Sequence, residues 1–223
     1  MIKASKNVFF EKVFAFYNRN LIDRRFNTLR VAGLENLDLV ENLPCLVYAN
    51  HSSWWDGLIA YEISLHTKLD WFVMMQESQL RKYFFFRWLG AFSVPKHSPK
   101  QALKSLEYAS NLMKQNKRCA ILIFPQGKIE PNDIRPIKIQ SGVVRIVQAV
   151  EDLILVPLAF RYEFLEDFKP EAFAKVGNSE VIRGTGVSKS TLKAKMQQEL
   201  TELLDSIRND ILQGKFDEYK RLV

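Results

Sequence analysis

A histidine and an aspartate five positions apart carry the clearest chemical potential in this chain: His51 and Asp56, within Asn50-His51-Ser52-Ser53-Trp54-Trp55-Asp56-Gly57. They follow the apolar run Pro44 to Ala49 and so fall at the end of an expected strand. On a regular helix five positions amount to about 140° of rotation, and the two side chains would diverge. They meet only if the chain turns between them. A turn that sets a carboxylate against an imidazole fixes the ring tautomer and supports its cationic form, which suits the ring to remove a proton from a hydroxyl. The competing reading is a structural histidine bonded to a loop aspartate.

Three further blocks recur at strand ends or turns. They are Gly90-Ala91-Phe92-Ser93-Val94-Pro95-Lys96, then Phe124-Pro125-Gln126-Gly127-Lys128 after the apolar run Cys119 to Ile123, then Val156-Pro157-Leu158-Ala159-Phe160. In this order and at these intervals, the four blocks resemble the four motifs of the glycerolipid acyltransferase family, of the 1-acylglycerol-3-phosphate acyltransferase type. The resemblance runs from about Arg30 to about Phe160. The first motif matches in full, the third only in its Phe-Pro-x-Gly frame, and the second and fourth are short.

The resemblance implies an O-acyltransferase that moves a fatty acyl group from acyl-CoA or acyl-carrier protein to a lipid hydroxyl, such as that of 1-acylglycerol-3-phosphate. It implies His51 as general base and Asp56 as the group that holds its other ring nitrogen. A thiolate leaves readily, so the main demands are deprotonation of the acceptor hydroxyl and stabilisation of the oxyanion. Backbone N–H groups are the expected oxyanion donors, with Gly127 a candidate. A covalent role for Ser52 or Ser53 is disfavoured by the tightness of the turn. The family's third motif usually reads Phe-Pro-Glu-Gly-Thr-Arg; here Gln126, Lys128 and Ile129 stand at the Glu, Thr and Arg positions. Lys128 can replace the Arg as a point charge but without its fork, and Lys96 stands near the second motif's Arg. Lys96, Gln126, Gly127 and Lys128 are therefore the expected substrate-binding residues, with Glu130 a possible displaced carboxylate. The weakened phosphate-reading positions leave a glycolipid or glycosylated carotenoid as alternative acceptor, and a lipid-binding homologue without turnover as a further alternative. No cofactor is expected beyond the acyl donor, and no metal, because His51 and Asp56 lack a third ligand.

The chain has 223 residues, 47% of them hydrophobic, enough for one domain with a core. Cys45 and Cys119 lie in apolar runs and read as buried, reduced thiols. No signal-peptide pattern and no apolar window of about 18–20 residues is visible, so no spanning helix is expected. The net charge is +7, and residues 1–30 hold seven bases against two acids, five of those seven charges. The same stretch holds Phe9, Phe10, Phe14, Phe16 and Tyr17, which suggests a helix lying in a headgroup layer at the cytoplasmic face of a membrane. The alternative is a helix packed on the body. Charge alone would also admit nucleic acid, but no binding motif for it is present, and none is expected as a partner.

The elements that must position these residues read as an α/β fold, a mixed β-sheet flanked by helices. Helices are expected over residues 4–26 (within an N-terminal interfacial segment 1–28), 56–65, 98–116 and 141–150. A long amphipathic helix is expected over 189–223, from Leu192, Met196, Leu200, Leu203, Ile207 and Ile211. Strands are expected over 29–34, 45–49, 70–75, 119–124 and 154–160, with 180–183 a possible edge strand and 161–188 otherwise short pieces. Gln79 to Leu89, dense in aromatics and bases, reads as a lipid-facing surface, an acyl-pocket wall or a core helix. Ser52 and Ser53 are expected N-caps of the helix at Asp56. His66 and His97 have no evident partners. Arg183 to Ser190 resembles a phosphate loop, but its glycine frame fails.

Overall fold

The expected strands all join one sheet covered on both faces in the computed structural model, which describes residues 1–38, 42–96, 98–183 and 188–223. In chain order the elements are α1 (Val8–Arg25), β1 (Thr28–Ala32), β2 (Cys45–Ala49), α2 (Asp56–Ser64), β3 (Asp70–Gln76), α3 (Glu77–Lys82), β4 (Ala91–Val94), α4 (Pro99–Gln115) and β5 (Cys119–Ile123). Then follow α5 (Gly142–Ala149), β6 (Asp152–Glu163), β7 (Glu171–Val176), β8 (Glu180–Arg183), α6 (Lys189–Leu212) and β9 (Lys220–Arg221). The strands lie in the order β4-β3-β5-β2-β6-β7-β1-β9, with β8 paired to β6. Strands β4, β3, β5, β2 and β6 run parallel, and β7 and β8 return antiparallel along the far side of β6.

Alternation along each strand builds two cores. Leu46, Tyr48, Ile121 and Ile123 face one side, with Met113 of α4, Val143 and Val147 of α5, and Leu200 and Leu204 of α6. Cys45, Val47, Ala120 and Leu122 face the other, with Ile22 of α1 and Ile59 and Ile63 of α2. Two covered faces explain why the central strands are apolar throughout rather than alternating with polar residues. The two cysteines are buried and free, on opposite faces. Burial pushes both thiols up, that of Cys119 to about 12.

The expected helices and strands are largely present, with instructive differences. Helix α1 starts at Val8 rather than residue 4, because Asn7 caps it by accepting from the Phe10 N–H. The preceding run is extended and borders β4: the Ser93 N–H donates to the Ile2 carbonyl at 2.9 Å, and the Ile2 N–H to Ser93 Oγ at 2.7 Å. Ser98 caps α4. Ser52 and Ser53 do not cap α2, whose first turn carries no side-chain cap. The C-terminal helix ends at Leu212, not residue 223. Gly214 beyond it takes a left-handed φ of 65°, and the chain returns to pair β9 with β1. Helix α6 packs along β6 and β7 through Leu192, Met196, Leu200, Leu204 and Ile207. Strand β7 lies in the stretch read only as short pieces. Glu180–Arg183 is a strand as expected. The Gln79–Leu89 cluster divides into the end of α3 and a 3-10 turn over Phe84–Leu89. His66 stands 4.0 Å from Glu62; His97 and 184–187 of the phosphate-loop look-alike lie outside the described residues.

Candidate active site

The carboxyl ends of parallel strands form a common edge where the loops can converge on a ligand. Here that edge receives His51 after β2, Gln126 to Lys128 after β5, Lys96 after β4 and the last residues of β6. The turn the sequence demanded between His51 and Asp56 is present, and it closes on the aspartate. Asp56 Oδ2 lies 2.8 Å from His51 Nδ1 and accepts from the backbone N–H of Ser52 at 2.7 Å and of Ser53 at 2.9 Å. Asp56 is the first residue of α2 and fully buried, so a helix N-terminus and these donors together offset the cost of burying its charge.

His51 is held through its ring and its backbone. Its Nδ1 faces Asp56. Its ring stacks on Phe124, with centroids 4.3 Å apart and planes 24° apart. Its backbone N–H donates to Gln126 Oε1 at 2.6 Å, and its carbonyl accepts from the Glu130 N–H at 2.8 Å. With the side chain 23% exposed and Nε2 unpartnered among the described residues, the second ring nitrogen faces the solvent-accessible side of the site. An imidazole with one nitrogen tied to a buried carboxylate and the other open is built to accept a proton from an incoming group.

Gln126 sits where the resemblance places a carboxylate, and the carboxylate of Glu130, four residues on, contacts it. Gln126 Nε2 donates to Glu130 Oε2 at 2.8 Å, and Lys128 Nζ pairs with Glu130 Oε1 at 2.8 Å. Hydrogen bonds from the Lys128 ammonium and then the Gln126 amide hold the Glu130 carboxyl below the ordinary carboxylate range. Gln126, Lys128 and Glu130 line a cavity of about 240 Å³ with Ile134, Lys138 and Gln140. Two lysines and one glutamate leave that cavity cationic by one charge. Gly127, a candidate oxyanion donor, donates its N–H within its own turn to the Phe124 carbonyl at 3.0 Å. Its φ of 72° is what the turn requires of it. Lys96 is exposed at the end of β4, with β3 and β5 between that strand and β2, and it joins none of the contacts around His51.

Two residues of this site were not foreseen. Asn50 clamps β2 to β6 beyond the last strand pair: its Oδ1 accepts from the Phe160 N–H at 2.7 Å and its Nδ2 donates to the Phe160 carbonyl at 3.0 Å. That clamp sets the register at which β6 delivers Tyr162, whose hydroxyl donates to Asp56 Oδ1 at 2.6 Å. Burial first, then the Asp56 charge, pushes the Tyr162 hydroxyl well above its ordinary ionisation, so it stays a donor. The alternation Leu158, Phe160, Tyr162 was the available signal, but the strand was expected to end at Phe160.

Beside the site, Trp54 is half exposed against Tyr83, and Trp55 packs edge-on to Phe26 at 5.0 Å. Helix α1 packs on the body, as the alternative reading of the N-terminal segment has it, and leaves an aromatic side exposed. Phe14, Asn18 and Ile22 are buried on the body, while Phe9 and Phe16 are 78% and 76% exposed on the opposite side, with Val13 and Tyr17 exposed beside them. No described helix is long and apolar enough to cross a membrane.

No curated protein matches this chain in sequence. Its fold is similar to the crystal structure of the 1-acyl-sn-glycerophosphate (LPA) acyltransferase PlsC from Thermotoga maritima, with a TM-score of 0.66 and 15% identity over 89% of this chain and 79% of that one. The model of the Acyltransferase family matches residues 28–161, more than half of the chain and the span that carries His51, Asp56, Gln126 and Lys128. By that match, on a fold that agrees with it, this chain belongs to the acyltransferase family.

Proposed function

We propose that this acyltransferase moves a fatty acyl group from a thioester, acyl-CoA or an acyl-carrier protein, to the free hydroxyl of a lysophospholipid such as 1-acylglycerol-3-phosphate. The carrying observation is the His51 ring, bonded through Nδ1 to buried Asp56 at 2.8 Å and open at Nε2. His51 Nε2 takes the hydroxyl proton as the acceptor oxygen bonds to the thioester carbonyl carbon. The Asp56 charge stabilises the imidazolium that forms. The tetrahedral adduct then expels the thiolate, which receives the proton from Nε2, leaving an ester and a free thiol. The cationic cavity at Gln126, Lys128, Glu130 and Lys138 supports an anionic headgroup, and the fold's likeness to an enzyme named for acyl-sn-glycerophosphate supports the same acceptor.

The enzyme works as a peripheral protein on a lipid surface at the cytoplasmic face of the membrane. The exposed aromatic side of α1, with Lys12, Arg24 and Arg25 exposed on the same helix, supports this placement. A second acceptor is favoured by one contact: Glu130 already engages Lys128, so an uncharged polyol, as on a glycolipid, also suits the cavity.

The test is thiol release from one acyl-CoA with lysophosphatidate, other lysophospholipids and glycolipids as acceptors, using the wild type and His51→Ala. Turnover with lysophosphatidate that is lost in the variant is the expected result. Equal rates in both proteins overturn the mechanism, and turnover with glycolipids alone selects the second acceptor.

A further inference from the structure

We propose that Tyr162 is a positioning residue of the acyl-transfer site: its hydroxyl pins the Asp56 carboxylate in the rotation that presents Oδ2 to His51. The inference rests on the reading of His51 as the general base. Three donors converge on Oδ2: His51 Nδ1 and the N–H groups of Ser52 and Ser53. They fix the place of that oxygen but leave the carboxylate free to turn about it, because the terminal torsion of an aspartate has no sharp rotameric preference. Among the described residues only Tyr162 reaches Oδ1, at 2.6 Å. Without it, a fully buried charged oxygen has no partner, and the carboxylate turns to share its donors between both oxygens.

Tyr162 is itself held firmly. It lies near the end of β6, two residues beyond the Phe160 clamped by Asn50, and its ring packs on Phe26 with centroids 5.7 Å apart. Strand β7 pairs Ala172 with it from the other side. The sheet register, not a loop, thus sets the position of the hydroxyl. Residues on elements 106 positions apart in sequence meet at one oxygen.

The test uses Tyr162→Phe in the 223-residue chain, with Met113→Ala on the opposite face of the sheet as a control for lost stability alone. The expected result is a fall in kcat of about tenfold with KM for both substrates within about twofold. In the same variant the low-field proton resonance of His51 Nδ1–H broadens or vanishes, whereas Met113→Ala leaves both readouts in place. If Tyr162→Phe does not fold, 3-fluorotyrosine at position 162 keeps the shape and donates more strongly, and the His51 resonance moves. An unmoved resonance, with kcat within about twofold of wild type, overturns the proposal. The resonance reports on the pair without any turnover, so a wild type that transfers no acyl group refutes the proposed function and leaves the Tyr162 role separately decided.

Discussion

Replacing Asp56 with asparagine isolates the charge of the proposed His51–Asp56 catalytic pair from its geometry. The amide oxygen takes the place of Oδ2, because three donors converge there: His51 Nδ1 and the N–H groups of Ser52 and Ser53. The amide nitrogen then faces Tyr162, whose hydroxyl rotates to accept instead of donate. All four contacts survive, the His51 tautomer is kept, and the unfolding free energy changes by less than about 2 kcal/mol. What is lost is the negative charge beside the imidazolium. Unit charges ~4 Å apart interact by about 4 kcal/mol at an effective dielectric of about 20, and each 1.36 kcal/mol is tenfold in rate. The His51 ring is partly exposed, so solvent reduces that figure. Turnover is expected to fall about 100- to 1000-fold. Steady-state thiol release, alongside thermal melting of both proteins, measures it. Turnover within tenfold of wild type at an unchanged melting temperature would refute the role of the charge.

Asn50→Ala strips partners from both the N–H and the carbonyl of buried Phe160, so urea unfolding should show a loss of about 2–4 kcal/mol. A loss under ~1 kcal/mol means the clamp is replaced by other bonds. Glu130 has a lowered carboxyl value in the native state, so its contribution to stability is present in full above the ordinary 4.5 and is lost as pH falls through the native value. The stability difference between wild type and Glu130→Gln should therefore shrink on acidification below 4.5; a constant difference contradicts the pairing with Lys128 and Gln126. Phe9→Ser with Phe16→Ser should weaken partition to anionic vesicles at least about tenfold while leaving the urea midpoint in place, since both rings are exposed. Deleting the whole helix is not an equivalent test, because Phe14, Asn18 and Ile22 belong to the body and their removal opens the core.

How much could be read in advance depended on the sequence distance over which each feature is determined. Strand β2 and helix α4 came through closely, since apolar runs and a Ser-Pro start are local signals. The His51–Asp56 pair came through because one turn makes it. Strand β7 did not: Glu-Ala-Phe-Ala-Lys-Val has few β-branched residues, and its strand character comes from lying between β1 and β6. The end of α6 was legible but misjudged, as apolar periodicity stops at Ile211 and Gly214 follows. Tyr162 and the Asn50 clamp were out of reach, since their partners lie 106 and 110 residues away. Lys96 was placed by a short motif alone, and β3 and β5 separate its strand from β2.

The seven residues ahead of α1 have a use that composition would not suggest. Ile2 exchanges hydrogen bonds with Ser93 along β4, and the Ser5 and Asn7 amides donate to the Arg87 and Trp88 carbonyls. Unsheltered strand margins invite other chains to add themselves. Clipping this strip, for instance by proteolysis before Val8, would bare the rim of the sheet, and light scattering should then detect larger multimers than in the unclipped preparation.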